Sequence, residues 1–278
     1  MLFLMLAILS SATISIIMRI SSDKVSGNLS MLAMNYLICA VLGAAYAKFK
    51  LWVPAFSGFS LTVGLGALSG VIYLGGFVLL QVNIRKNGIV LSSVFMKLGL
   101  LVPILMSVLF FHEQPTLPQV VGFCIALGAI VLINLKKDAT SKGFHFGLIA
   151  LLLLGGGADA MSKVFEMLGP AALSDQFLFY TFAVAFLLCL GLVICKKERP
   201  GVRELIFGTL VGVPNFFSAK FLLGALTKLP AVVVYPSFSV ATLLLVTLTG
   251  VAVFRERLSK IRWAALAAII VALVLLNI

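Results

Sequence analysis

The stretch Val102–Leu135, VPILMSVLFFHEQPTLPQVVGFCIALGAIVLINL, contains two apolar segments joined by the short polar corner HEQP. The same pattern returns at the end of the chain in VTLTGVAVFRERLSKIRWAALAAIIVALVLLNI. Adding 143 to a residue number carries Glu113 to Glu256 and Asn134 to Asn277. A repeat of this kind in an apolar chain is typical of membrane proteins whose two halves surround a site near the bilayer midplane.

The composition excludes a soluble domain. Of the 278 residues, 62% are hydrophobic and 11% are charged, and the mean hydropathy is +1.20. A soluble domain of this size has no interior large enough for so much apolar surface. The net charge of +12 comes mostly from basic residues in the gaps between apolar runs, where they meet lipid headgroups and not nucleic acid. The four cysteines have no paired spacing, so we expect no metal site, disulfide or cofactor.

Ten apolar runs approach the length that crosses the hydrocarbon core, which is about 20 residues of helix. The predicted helices cover residues 2–18, 31–47, 59–82, 88–111, 118–135, 146–165, 176–195, 204–226, 231–254 and 262–277. Five spans per half give the two halves opposite orientations. We therefore predict an all-α membrane protein with ten transmembrane helices in a 5+5 inverted repeat. Residues 1–135 form the first five-helix repeat, 136–145 a connector and 146–278 the second repeat, within one integral membrane domain.

Two lysines lie near the middle of predicted helices. Lys97 is in the fourth helix, with Ser93 one turn earlier on the same face, and Lys220 is in the eighth helix. A charge at the bilayer centre costs about 2.5–3.5 kcal/mol on insertion scales, so such residues are retained where they face a wet cavity or a partner. We expect both lysines to bind an anionic group of a small-molecule substrate. For Lys97, a salt bridge to Asp159 is the alternative.

The sixth predicted helix adds a carboxylate and a further cation. Asp159 and Lys163 are four residues apart and share a helix face. We expect Asp159 to bind an amine and Lys163 to bind an anion, unless the two side chains pair with each other. Glu113 and Glu256 end helices at corresponding corners. We interpret them as structural residues that cap helices or pair with nearby basic residues.

Aromatic and amide side chains complete the predicted substrate site. Tyr73 and Tyr235 are expected to form part of its walls, and Asn215 adds an amide. Asn215 directly follows Pro214, and Pro236 lies in the next predicted helix. Each proline removes one helical hydrogen bond and favours a kink, and broken helices often flank transport sites.

Two segments of the chain resemble a known family. LLGALTKLPAVVVYPSFSVATLLLVTLTGVAVFRERLS, at residues 222–259, and FFHEQPTLPQVVGFCIALGAIVLINL, at residues 110–135, resemble the drug/metabolite transporter superfamily, in particular its EamA-like ten-helix members. Each half also resembles the four-helix small multidrug resistance proteins. Their first helix carries a membrane-embedded glutamate, whereas the corresponding places here hold Ser11 and Gly155. The resemblance therefore implies a transporter fold but disfavours proton-coupled export of cationic drugs.

A secondary transporter is the function that these features favour. Three or four cations beside one carboxylate predict a positive pocket for an anionic or zwitterionic solute, such as an amino acid or organic acid, moved by alternating access. The chain has no H-E-x-x-H, no G-x-S-x-G and no nucleotide-binding loop, so neither enzyme activity nor direct ATP coupling is expected. A flippase for a lipid-linked sugar or headgroup and a multidrug exporter are the alternatives.

The distribution of basic residues predicts the orientation in the membrane. Connections after odd-numbered helices contain fourteen lysines and arginines, and those after even-numbered helices contain three. Because cytoplasmic loops carry the basic excess, both termini are expected outside the cytoplasm. Resemblance to the nucleotide-sugar branch implies cytosolic termini instead.

We expect a multi-pass protein of the bacterial plasma membrane, monomeric or homodimeric, whose partners are the lipid bilayer and a small-molecule substrate.

A reporter that is active only in the cytoplasm is expected to be silent when fused after Ile278, because the basic excess places this terminus outside. Fusion of the same reporter after Lys197, in a basic connection, is the control and is expected to be active. Strong activity after Ile278 would contradict the external terminus or the count of ten helices.

Overall fold

The computed structural model describes residues 1–21, 24–25, 27–87, 89–134, 145–253 and 260–278. Within these ranges the chain forms helices and contains no strand, so the predicted all-α class is confirmed there. The α-helices are α1 (Leu2–Ser21), α2 (Asn28–Tyr46), α3 (Phe59–Asn87), α4 (Ile89–Leu98), α5 (Leu101–Leu109), α6 (Leu117–Asn134), α7 (His145–Leu168), α8 (Ser174–Cys195), α9 (Val202–Leu226), α10 (Ala231–Ala252) and α11 (Lys260–Leu276). A short 3-10 turn, Ala171–Leu173, precedes α8.

Several of these helices are suited to a bilayer. Seven of the described helices are long and apolar enough to cross a membrane, namely α1, α2, α3, α7, α8, α9 and α10. Three shorter apolar segments accompany them, at Phe95–Leu109, Leu117–Leu132 and Trp263–Leu276. The chain is therefore an integral, multi-pass membrane protein. The opposite orientation of the two sequence repeats stays a prediction.

The prediction of one continuous fourth helix over residues 88–111 is wrong, because the structure divides this segment into α4 and α5 at Gly99. The physical reason is Pro103, which has no N–H to donate to the carbonyl of Gly99 four residues earlier. That carbonyl accepts from the N–H of Val102 at 2.9 Å, and the N–H of Gly99 donates to the carbonyl of Met96 at 3.2 Å. Both bonds span three residues, so the backbone is more tightly wound at this point than in an α-helix.

Two other prolines lie inside continuous helices. Pro214 is within α9 and Pro236 is within α10, and neither proline interrupts its helix. The kinks expected at these positions stay predictions, and the interruption seen in the structure lies between α4 and α5.

The chain divides into two compact units, and each unit combines helices from both halves of the sequence. Unit 1 is Met1–Leu74 with Val164–Thr227, and unit 2 is Gly75–Lys163 with Lys228–Ile278. Within unit 1, α2 packs against α8 and α9, and α1 packs against α9. Within unit 2, α11 packs against α6 and α10. Each predicted repeat, 1–135 or 146–278, is one continuous stretch of sequence, whereas each packing unit combines parts of both repeats.

Close helix packing in unit 1 depends on two glycines of α9 that face α2, Gly208 and Gly212. A Cβ atom at Gly208 would lie 2.6 Å from the carbonyl oxygen of Met31, and one at Gly212 would lie 2.7 Å from the Cβ of Ile38. Small residues four apart let two helices approach closely in lipid. In unit 2, Gly122 brings α6 into similarly close contact with α11.

Gly208→Val is expected to lower the melting temperature of the purified protein, because the added atoms collide with the backbone of α2. Overpacking of this kind costs about 1–3 kcal/mol. Gly191→Val is the matched control, since Gly191 also lies in a helix of unit 1 and a Cβ there meets no atom within 4 Å. Equal melting temperatures for the two variants would contradict the close α2–α9 contact.

Candidate functional site

Lys97 lies beside the interruption between α4 and α5. It is in the last turn of α4, two residues before Gly99. Its carbonyl oxygen accepts a long hydrogen bond, 3.5 Å from the nitrogen of Leu100, and its side chain is exposed. Irregular backbone within a membrane protein is tolerated where it is buried in protein or lines a water-filled cavity. A lysine and a weakened stretch of helix therefore occur at the same place.

A contact between two glycines brings α7 toward this interruption. Gly156 of α7 and Gly99 meet backbone to backbone, too closely for a Cβ at Gly156. Asp159 follows Gly156 by about one helical turn and is half-buried. Tyr235 of α10 is buried, and its hydroxyl donates to the backbone carbonyl of Asp159 at 2.7 Å. Three helices of unit 2 thus contribute Lys97, Asp159 and Tyr235 to one region, which we call the Lys97–Asp159 site.

The charges of this site interact without forming a direct ion pair. Lys97 and Asp159 each lie in the electrostatic field of the other. Across the part of the chain that the structure describes, however, no carboxylate oxygen lies within 4.0 Å of the Lys97 ammonium. The direct salt bridge between Lys97 and Asp159, which was the alternative to substrate binding by Lys97, is therefore not formed. Both groups keep hydrogen-bonding capacity for a ligand that has an anionic end and an amine.

Lys163 pairs with a carboxylate that the spacing of the sequence did not indicate. Its ammonium lies 2.9 Å from Oε1 of Glu113 and 6.0 Å from the centroid of the Phe111 ring. The side chain is only 4% exposed. The spacing predicted Asp159 as the partner, whereas the ion pair that forms is with the corner between α5 and α6. This ion pair compensates the Lys163 ammonium, and the expected binding of an anion by Lys163 stays a prediction.

The Glu113 carboxylate also caps α10. Oε1 accepts from the N–H of Ala231 at 3.1 Å, and Oε2 accepts from the N–H of Val232 at 3.4 Å. The first N–H groups of a helix have no partner within the helix, and negative charge is favourable at that end. The interpretation of Glu113 as a structural residue is confirmed. Its repeat equivalent, Glu256, lies outside the described residues.

Lys220 lies in unit 1 and faces a cavity together with its own carboxylate partner. Its ammonium forms an ion pair with Asp175 of α8 and lies 4.0 Å from the centroid of the Tyr46 ring. The cavity has a volume of about 200 Å³, and most of its lining is apolar. Lys220 therefore faces a cavity in which a protein carboxylate already compensates its charge, and its expected binding of an anionic substrate stays a prediction.

The other predicted residues of unit 1 contact neighbouring helices, and their expected contribution to a substrate site stays a prediction. The amide Nδ2 of Asn215 donates to Oδ1 of Asn35 at 3.1 Å, which joins α9 to α2. The ring of Tyr73 packs against Phe182 of α8 with centroids 6.0 Å apart. The side chain of Ser93 lies outside the part that the structure describes, so its expected contribution stays a prediction.

Two features near the candidate residues were missed in the sequence. Pro103 was a signal for the first, because a proline four residues after Gly99 removes the hydrogen bond that would continue the helix. The second is the pairing of Lys220 with Asp175. These residues are 45 positions apart and lie on different helices, so no spacing rule connects them.

Comparison with known proteins adds the family. Residues 1–135 match the model of the EamA-like transporter family. An uncharacterized protein of Haemophilus influenzae (strain ATCC 51907 / DSM 11121 / KW20 / Rd) is 25% identical over 274 residues, which cover 94% of this chain and 92% of that protein. A protein of known crystal structure shares the fold, with a TM-score of 0.73 over 99% of this chain and 94% of its own, at 18% identity. The match of residues 1–135 to this family agrees with the predicted resemblance to drug/metabolite transporters.

Proposed function

We propose that this protein is a secondary transporter of a small anionic or zwitterionic solute, such as an amino acid or organic acid. The match of residues 1–135 to the EamA-like transporter family supports the transport of small solutes. Alternating access through the 5+5 inverted repeat is part of the proposal, because two halves of opposite orientation can exchange conformations around one site. The proposed location is the bacterial plasma membrane.

The difference among three lysines in apolar helices carries this proposal. Lys163 and Lys220 each form an ion pair with a carboxylate. Lys97 is exposed and, in the described ranges, has no carboxylate within 4.0 Å. An ammonium in an apolar protein is costly without a partner, and a ligand carboxylate or phosphate supplies one through a charge-assisted hydrogen bond.

Asp159 supplies the complementary charge in this proposal. A zwitterion with its carboxylate at Lys97 and its ammonium at Asp159 compensates both protein charges, whereas a simple anion compensates only Lys97. The ligand would bind beside the α4–α5 interruption, where the helix has lost a regular hydrogen bond. Binding that favours one geometry of this interruption shifts the population of conformations, which is the step that alternating access requires.

A lipid or headgroup flippase is the second candidate, and one observation favours it. An apolar groove between α1 and α9 is open at the surface of unit 1 and is lined in part by Phe217 and Phe221. An aromatic slot open toward lipid is the feature that distinguishes a flippase from a transporter with a closed polar cavity. The Lys97–Asp159 site favours the solute transporter, because its charges have no counterpart in that groove.

Lys97→Met is expected to weaken solute binding and exchange in proteoliposomes while the protein stays folded. Solutes are first selected by thermal stabilisation of the purified protein with anionic, zwitterionic and cationic metabolites. A charge-assisted hydrogen bond is worth about 1.5–3 kcal/mol, so affinity should fall by about tenfold or more. Lys97→Arg, which keeps the charge, is the matched control and should retain part of the binding.

The double variant Lys97→Met with Asp159→Asn separates ligand binding from charge neutralisation. If Lys97 only compensates Asp159, removing both charges restores exchange. Our proposal expects no rescue. Unchanged solute affinity in a folded Lys97→Met protein would refute it. Movement of a fluorescent lipid between leaflets of the same vesicles, without solute exchange, would favour the flippase instead.

A further inference from the structure

The connection between α2 and α3, residues 47–58, exposes three aromatic side chains of unit 1, and we call it the aromatic connection. Phe49 and Trp52 are 74% and 73% exposed, and Phe56 is 44% exposed. Lys48 and Lys50 in the same connection are also exposed. Both flanking helices are long and apolar enough to cross a membrane. The exposed rings therefore lie within a few residues of the points where the chain leaves and re-enters the hydrocarbon core.

Left-handed backbone at the end of α2 begins the aromatic connection. Lys48 and Phe49 have φ angles of 53° and 56°, a conformation that residues other than glycine rarely adopt. The N–H of Phe49 donates to the carbonyl of Ala44 at 2.8 Å, and the N–H of Lys48 donates to the carbonyl of Ala45 at 2.9 Å. These bonds satisfy carbonyls in the last turn of α2. The helix thus ends with a bulky apolar ring in an unfavourable backbone conformation, which is a feature of functional segments.

Side chains of α8 hold the next residues of the aromatic connection. Nε2 of Gln176 donates to the carbonyl of Lys50 at 3.1 Å. The hydroxyl of Tyr180 donates to the carbonyl of Leu51 at 2.8 Å. These carbonyls lie outside any helix, so the two side chains supply partners that regular structure does not. The backbone between Phe49 and Trp52 is therefore fixed against a membrane-spanning helix.

Trp52 packs against one buried ring and is otherwise exposed. Its ring centroid lies 5.4 Å from that of Phe59, the first residue of α3, with an interplanar angle of 83°. Phe59 is buried and also contacts the ring of Tyr180, at 6.2 Å between centroids. The fold thus positions Trp52 and leaves most of its surface available to another molecule.

The other end of unit 1 has a different chemistry. There Glu198 and Glu204 accept from the N–H groups of Ser30 and Gly27, which brings the α1–α2 and α8–α9 connections together. Residues 22–27 and 196–201 contain four lysines and arginines and no aromatic residue. The exposed rings of the aromatic connection are therefore a property of one end of unit 1 and do not follow from the apolar composition of the whole chain.

We propose that the aromatic connection inserts into the boundary between lipid headgroups and hydrocarbon, where Phe49, Trp52 and Phe56 contact phospholipid. Aromatic side chains, tryptophan above all, are favoured at this depth because they are largely apolar. Lys48 and Lys50 limit the depth, because their ammonium groups stay in contact with water or lipid phosphate. The insertion continues the lipid contact of α2 and α3, so it rests on the membrane location and is independent of the proposed solute.

Quenching of Trp52 fluorescence by brominated phospholipids tests this insertion. The chain has two tryptophans, so Trp263→Phe leaves Trp52 as the single emitter. This variant is reconstituted into phosphatidylcholine vesicles whose acyl chains carry bromine either near the headgroup or near the terminal methyl group. We expect the greater loss of emission with bromine near the headgroup, and little loss with aqueous iodide, because Trp52 lies at the boundary and not in water.

Two results would overturn the insertion. Strong quenching by iodide with little quenching by either lipid would show that Trp52 is in water, available to a soluble partner instead. Stronger quenching by bromine near the terminal methyl group would show that the ring is in the hydrocarbon core.

Leu68→Trp, in a protein that also carries Trp52→Phe and Trp263→Phe, is the matched control. Leu68 is exposed on α3, nine residues after Phe59, or roughly 13 Å along the helix axis. That distance is close to half of a hydrocarbon core of about 30 Å. We therefore expect the reverse order in this control, with the stronger quenching by bromine near the terminal methyl group.

Tyr180→Phe tests the hydrogen bond that holds the connection. The variant keeps the ring that packs against Phe59 and loses the bond to the carbonyl of Leu51. We expect weaker quenching of Trp52 by bromine near the headgroup, because the backbone beside it is less fixed. Tyr36→Phe is the matched control, since Tyr36 is also in a helix of unit 1 and its ring packs against Phe182 of α8. Equal quenching in the two variants would contradict the positioning role of Tyr180.

Discussion

Carboxylates supply partners for helix ends and for a buried ammonium in this apolar fold. The first N–H groups of a helix have no partner within it, and an ammonium within a bilayer is costly without one. In unit 2, Glu113 binds a buried lysine and the first N–H groups of α10 with one carboxylate. In unit 1, Glu204 accepts from the N–H of Gly27 at 3.2 Å and Glu198 from the N–H of Ser30 at 2.7 Å, at the start of α2. Acidic residues are few in this chain, and these three stabilise helix ends.

Lys97 departs from this pattern, and the departure distinguishes a binding group from a structural one. A lysine in a formed ion pair contributes to the fold, and removal of one partner of a buried pair costs about 3–5 kcal/mol. The Lys97 ammonium instead interacts electrostatically with Asp159 without a direct ion pair, and Lys97 lies next to the interruption between α4 and α5. The contact between Gly99 and Gly156 packs this interruption against α7, the helix that contains Asp159. A ligand that binds at this site can therefore compensate the charges of Lys97 and Asp159.

The positions of the helices could be predicted from the sequence because the bilayer imposes their length and apolar character. The ninth predicted helix, 231–254, corresponds to α10, Ala231–Ala252, and the seventh, 176–195, to α8, Ser174–Cys195. Partners of charged residues could not be predicted in the same way. Spacing along one helix favoured Asp159 for Lys163, but Glu113 reaches Lys163 from a corner whose position depends on tertiary packing. The interruption at Gly99 had a local cause in Pro103, whereas two similar prolines lie in uninterrupted helices, so proline alone does not identify the functional break.

Thermal unfolding of two lysine variants without added solute is the most direct measurement of the distinction between structural and binding lysines. Lys163→Met leaves the carboxylate of Glu113 without its cation, so we expect a large fall in melting temperature, equivalent to about 3–5 kcal/mol. Lys97→Met removes an ammonium that has no direct ion pair in the described residues, so we expect an unchanged or higher melting temperature. A fall for Lys97→Met as large as that for Lys163→Met would contradict the account, because it would show that Lys97 also holds the fold together.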